Sequence, residues 1–199
     1  MNNIENLFME SISVKTKVLD LGLLKNIEKM GIQIASSIEN GNKIMLCGNG
    51  GSAADAQHLA AEMLIRLRPE NNREGVPAIA LTQDISTITA CGNDFGYNTL
   101  YERMVMTLGK EGDCLIGITT SGNSENVILA MQAAQNMGIK VFGFLGSGGG
   151  KAVEQCDEAF IVPSDNTGRI QEVHITAGHA LMEYIEDYLL NVDYLHLQG

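Results

Sequence analysis

Nowhere does this 199-residue chain sustain an apolar run of the roughly 18 residues that cross a bilayer, which argues against a membrane-spanning helix and a membrane partner. The N-terminus, MNNIENLFMES, has neither a basic segment nor a continuous apolar core and carries Glu5 and Glu10, so it does not read as a secretory signal. The expectation is a soluble protein working in the cytoplasm. Basic residues are scarce too: 13 Lys and Arg stand against 24 Asp and Glu, a formal net charge of −11. That balance opposes nucleic-acid binding, which depends on neutralising backbone phosphates. It also repels a phosphorylated metabolite at long range, so a phosphate site here has to work at short range, through backbone dipoles and hydroxyls. Cysteine is sparse. Cys47, Cys91, Cys114 and Cys156 are far apart, three of them in or beside apolar runs, and read as reduced packing residues. The length suits one full domain and would cramp a second, so a single domain over 1–199 is expected, a helical segment 1–41 followed by an α/β core 42–199.

What is present centres on Lys43 to Leu67: KIMLC, then GNGGSA, then ADAQHLAAEMLIRL. A short apolar run enters a glycine-rich turn that opens into strong helix formers, which reads as strand, loop and helix. Gly48, Gly50 and Gly51 permit a tight turn and close approach to a ligand, and Ser52 is placed to cap a helix whose free N–H groups favour an anion. The loop is neither GxxxxGK[ST] nor GxGxxG. His58 and Glu62, four residues apart, share one face of the helix. Arg66, one turn further, reads equally as a partner of Glu62, a reach into the cleft or a solvated side chain, and Asp55 and Gln57 read as helix surface or subunit contact.

Before this unit, residues 3 to 20 and 22 to 40 show helical spacing, with Ile4, Leu7, Phe8 and Ile12, then Leu24, Ile27, Met30, Ile34 and Ile38. After it come a polar surface loop from Arg68 to Gly75, a short strand AIAL, and two helix-like pieces between Thr82 and Leu108 separated by a loop ending in NDFG. DCLIGIT (113–119) is apolar almost throughout, as a strand buried on both faces is, and TSGNS follows it into a second helix. Residues 139–145 and 158–162 give two more strands, GSGGGK between them reads as a flexible turn at a mobile edge, and 167–192 forms a long terminal helix. Such alternation means a parallel sheet covered on both sides, with ligands at the carboxyl ends of its strands, where the loops after Cys47 and Thr119 both leave.

Four blocks, CGNGGSAADAQHLAAE at 47–62, GNDFG at 92–96, TTSGNS at 119–124 and RIQEVHITAGH at 169–179, occur in the order found in the sugar isomerase (SIS) domain family, and the chain resembles its phosphoheptose isomerase branch over nearly its whole length. The resemblance implies a flavodoxin-like, five-stranded parallel sheet between helices, N-terminal helices used in oligomerisation, and a homotetramer with active sites between subunits. It implies conversion of sedoheptulose 7-phosphate to an aldose, with sugar phosphate contacts at Asn49, Gly50, Gly51, Ser52, Glu62, Asn93, Asp94, Thr119, Thr120, Ser121, Ser124 and Gln171. It also implies one zinc ion per subunit on His58, Glu62, Gln171 and His179. On a helix Gln171 and His179 differ by about 80° of rotation and Gln171 and His174 by about 60°, so periodicity leaves both histidines open, and it is the family pattern that selects His179. For such a reaction Glu62 is the expected base, moving a proton between carbons through an enediol, and His179 the partner that moves protons on oxygen. A non-catalytic relative that binds a replication initiator is the alternative, in which the acid/base pair would be lost.

Overall fold

The runs that are apolar without alternation become the strands, because both faces of each are covered. In the computed structural model, which describes residues 3–82 and 84–197, β1 (Ile44–Gly48), β2 (Ala78–Ala80), β3 (Cys114–Thr119), β4 (Lys140–Leu145) and β5 (Glu158–Ile161) form one sheet in the order β2-β1-β3-β4-β5. All neighbours pair in parallel. The helices are α1 (Ile4–Asp20), α2 (Leu24–Glu39), α3 (Gly51–Leu64), α4 (Ile85–Asp94), α5 (Leu100–Leu108), α6 (Glu125–Asn136) and α7 (Thr167–Asn191). Successive strand residues enter opposite layers. Ile44, Leu46, Ile116, Ile118, Phe142 and Phe144 meet α1, α2, α3 and α7 on one face, while Met45, Cys47, Leu115, Val141 and Leu145 meet α4, α5 and α6 on the other. This is the flavodoxin-like order. Its direction reverses between β1 and β3, so the crevice beyond the carboxyl ends of those two strands is the place for a ligand. The single-domain reading over 1–199 takes in residues 1, 2, 83, 198 and 199, which lie outside the described residues.

Several local expectations are corrected. α2 buries Ile27, Met30, Ile34 and Ile38 within its own chain, whereas α1 buries only Val14 and Val18 and leaves Ile4, Phe8, Met9 and Ile12 exposed. α3 stops at Leu64, so Arg66 lies beyond the helix and is exposed. Gly92, Asn93 and Asp94 belong to the last turn of α4, which Asp84 caps by accepting from the Ser86 and Thr87 amides. The polar stretch 68–75 is no simple surface loop, since Arg73 is buried in it. Nor is GSGGG a loose edge: it winds through positive φ at Ser147, Gly148, Gly149 and Gly150 and packs on Gly122.

His174 is packed in the core. Its Nε2 meets the Leu145 carbonyl at 3.0 Å, its ring lies against Phe144, and its Nδ1 is buried with no partner. Burial pushes the imidazole pKa from 6.5 down to about 4, against a smaller upward pull from the Leu145 carbonyl. Below pH 6.5 the unfolded chain therefore takes a proton that the folded chain refuses. Stability should fall between pH 6.5 and 4 by on the order of 3 kcal/mol from this residue, and be level above that window. Denaturant midpoints of wild type and His174→Phe across pH 4 to 8 check this, the variant being expected to lack that part of the slope.

Candidate active site

β1 and β3 each feed a loop that opens a helix, and neither helix is capped by a side chain. The cap residue of α3 is Gly50, whose φ of +57° and ψ of −119° suit glycine, and this leaves no side chain at the capping position. Ser52 does not serve as the cap expected of it; it is the second residue of the helix, 3% exposed. At α6 the cap residue is Ser124, but its hydroxyl turns to Thr119 Oγ1 at 2.9 Å instead of to the helix amides. Two helix N-termini without side-chain caps thus flank one cleft of about 330 Å³, lined by Asn49, Gly50, Gly51, Ser52, Ile118, Thr119, Thr120, Ser124, Thr167 and Gln171. No Lys or Arg is among those residues, so an anion held here relies on amides and hydroxyls, as the acidic charge of the chain requires.

Along α3, about 10 Å of helix rise beyond Gly51, a second group of side chains gathers. α3 and α7 lie close enough that a Cβ on Gly178 would strike Leu59. That approach sets His58 Nε2 2.7 Å from His179 Nε2 and 3.3 Å from Glu62 Oε1, with ligand atoms of all three within 4.8 Å of one another. Two histidines and a carboxylate form a donor set suited to a divalent metal with a position left open, and the 3.3 Å separation matches two ligands about 2.0–2.2 Å from a shared ion. The triad is thus compatible with a metal. Asp55, one turn before His58, is half-buried; burial raises its carboxyl pKa against the pull of His58 and His179, and its Oδ2 is buried with no hydrogen-bond partner. Added negative charge beside two histidines further favours a cation. The choice that periodicity left open falls to His179, since His174 faces the core.

The comparisons with known proteins bear on this arrangement. The SIS domain family matches residues 8–146. The phosphoheptose isomerase of Aquifex aeolicus is 48% identical over 187 residues, 94% of this chain and 96% of that one. The chain is also similar to the solved phosphoheptose isomerases of Neisseria gonorrhoeae (TM-score 0.86, 40% identity, 92% and 97% of the two chains) and Francisella tularensis (TM-score 0.88, 37% identity, 92% and 96%). The chain belongs to the SIS domain family. By those full-length relatives it is an isomerase.

Within this SIS domain the sequence-derived site residues divide. Asn49, Gly50, Gly51, Ser52, Thr119, Thr120, Ser124 and Gln171 line the cleft, and Ser121 borders it, 3.5 Å from Thr119 Oγ1 with its hydroxyl accepting from the Asn123 amide. Gln171 presses its amide on Gly51, where a Cβ would collide with it. It is therefore grouped with the cleft, about 12 Å of helix rise from His179, rather than with the triad of its own chain. Asn93 and Asp94 are exposed and bonded to each other at 2.7 Å, outside the cleft lining. Asn126 was missed. It exchanges two amide hydrogen bonds with Asn49 at 2.8 and 2.9 Å, and the Tyr97 hydroxyl donates to Asn49 at 2.8 Å, so the Asn49 side chain locks the loop. The one signal for Asn126 was an amide directly before the apolar run Val127 to Met131 of α6.

Proposed function

We propose that this isomerase converts sedoheptulose 7-phosphate to D-glycero-D-manno-heptose 7-phosphate in the cytoplasm, supplying heptose for a bacterial surface polysaccharide. The observation that carries the reading is the His58, Glu62 and His179 cluster standing one phosphate-bearing sugar chain away from an uncapped pair of helix N-termini. The phosphate rests on the amides opening α3 and α6 and the hydroxyls of Ser52, Thr119, Thr120, Ser121 and Ser124. Glu62 takes a proton from C1 of the ketose and returns it to C2 of the enediol. His179 moves the matching proton from O1 to O2, so no atom is lost. The donor set supports zinc, held by His58, Glu62 and His179, which when bound polarises the carbonyl group. Exposed Ile4, Phe8, Met9 and Ile12 on α1 support assembly as a homotetramer, with residues 1–41 serving that contact and 42–199 the α/β core of one SIS domain. Asn93 and Asp94 then serve the cleft of a neighbouring subunit.

The test is turnover of sedoheptulose 7-phosphate by the species whose mass is fixed by light scattering, before and after exhaustive chelation. A four-chain particle is expected to make the aldose, lose the activity with its metal, and regain it with zinc. A zinc-loaded particle that makes no aldose overturns the isomerase substrate; activity that survives chelation removes zinc.

A further inference from the structure

The last carbonyls of a helix have no partner within it, and at α3 they are the carbonyls of the residues that matter most. Arg73, from the irregular segment after the helix, supplies the donors. Its Nη2 donates to the Glu62 carbonyl at 3.0 Å, and its Nη1 to the Met63 and Glu74 carbonyls at 3.1 and 2.9 Å. Its Nε donates to Glu186 Oε1 at 2.5 Å. Both side chains are fully buried. Glu186 Oε2 in turn accepts from Arg68 Nε at 2.5 Å and Asn71 Nδ2 at 3.0 Å. Burial raises the Glu186 carboxyl pKa, but the bonds from Asn71, Arg73 and Arg68 outweigh it and hold the pKa below its ordinary value. The segment is pinned again by the Val76 amide on the Met63 carbonyl at 2.9 Å and by an antiparallel bridge between Arg73 and Leu197.

Glu186 stands seven residues after His179, on the same face of α7 and about 10 Å along it. One guanidinium therefore joins the backbone of Glu62 to the helix that carries His179. We propose that Arg73, held by Glu186, is a positioning residue that sets Glu62 against His179; this rests on those two side chains being the acid/base pair. A buried ion pair is weak evidence for stability, since its desolvation cost is close to its gain and apolar side chains of similar volume do as well. Apolar side chains could not bond the Glu62 and Met63 carbonyls. Orientation is what the arrangement yields, and a displacement of about 1 Å in such a pair costs on the order of a hundredfold in rate.

Arg73→Lys is the informative variant, because an ammonium keeps the charge for Glu186 but cannot span Glu186 and both carbonyls. Its kcat should fall at least about tenfold with KM within about threefold, since the phosphate cleft lies at the other end of α3. The apo-protein's zinc affinity, read by competition with a chromophoric chelator, should fall at least about tenfold. Asp113→Asn is the control: Asp113 is buried just before β3, the central strand, where it accepts from the Lys43 and Lys110 amides and touches neither Arg73 nor Glu186. It should lower Tm and leave kcat and zinc affinity unchanged. Arg73→Lys with wild-type kcat and zinc affinity overturns the proposal, as does a variant that behaves as Asp113→Asn does. If Arg73→Lys does not fold, Glu186→Gln loosens the same fork and is read the same way. Should wild type fail to turn over the heptulose, the substrate reading falls while zinc affinity still decides this one.

Discussion

Glu62→Gln is expected to fold, to bind sedoheptulose 7-phosphate within about tenfold of wild type, and to turn it over at least about a hundredfold more slowly. The amide keeps the shape of the carboxylate and has no basicity at neutral pH, so the carbon proton loses its acceptor. Glu62 lies about 16 Å of helix rise from Gly51, in the last turn of α3, with 18% of its side chain exposed. The groups proposed to hold phosphate are at the first turn and on the β3 loop, and Glu62 is not among the residues lining that cleft. A binding loss as large as the rate loss would mean that Glu62 acts by holding the substrate, and an unaltered rate would end its assignment as the base. His58 meets Glu62 Oε1 at 3.3 Å, so the same variant should also hold zinc less tightly, which chelator competition reads without any turnover.

The sheet was legible because its strands are buried on both faces and carry apolar runs without alternation; boundaries moved by a residue or two. Asp113, read as the first residue of the third strand, lies just outside it because its carboxylate is committed to the Lys43 and Lys110 amides. The cleft was legible as two glycine- and hydroxyl-rich turns, each following a strand. Its wiring was not. Asn49 and Asn126 are 77 residues apart, and Arg73 and Glu186 are 113 apart, and nothing local marks either as half of a pair. Arg73 in particular looked like one more polar residue in a solvated loop, since composition cannot tell a charge that faces water from one that caps a helix. Ser52 misled in the other direction: Ser is a strong capping residue, but the chain enters α3 through a left-handed glycine. At His174 and His179 a 3.6-residue period could not choose between two histidines at similar angles to either side of Gln171, and packing of His174 against Phe144 decided it.

Gly122→Ala should produce the opposite split, a binding loss of at least about tenfold with saturated turnover kept within several-fold. Gly122 sits between Ser121 and Ser124 with φ at +65°, where an alanine costs about 1–2 kcal/mol by conformation alone. Its Cβ would also run into the Gly149 carbonyl and the Gly150 nitrogen, and these are backbone atoms that no rotamer can move aside. The contact is reciprocal. A Cβ at Gly150 would strike the Gly122 and Ser121 carbonyls, and the Ala152 amide donates to the Gly122 carbonyl at 2.8 Å, so the two loops shift together or not at all. Displacing them moves the hydroxyls of Ser121 and Ser124 away from the proposed phosphate position while His58, Glu62 and His179, carried on α3 and α7, stay where they are. Zinc affinity should accordingly match wild type. With the two sites about 10 Å or more apart and no shared partner, the losses in Gly122→Ala and Glu62→Gln should add in the double variant. A double variant no worse than Glu62→Gln alone would mean that the β3 loop does not carry the phosphate.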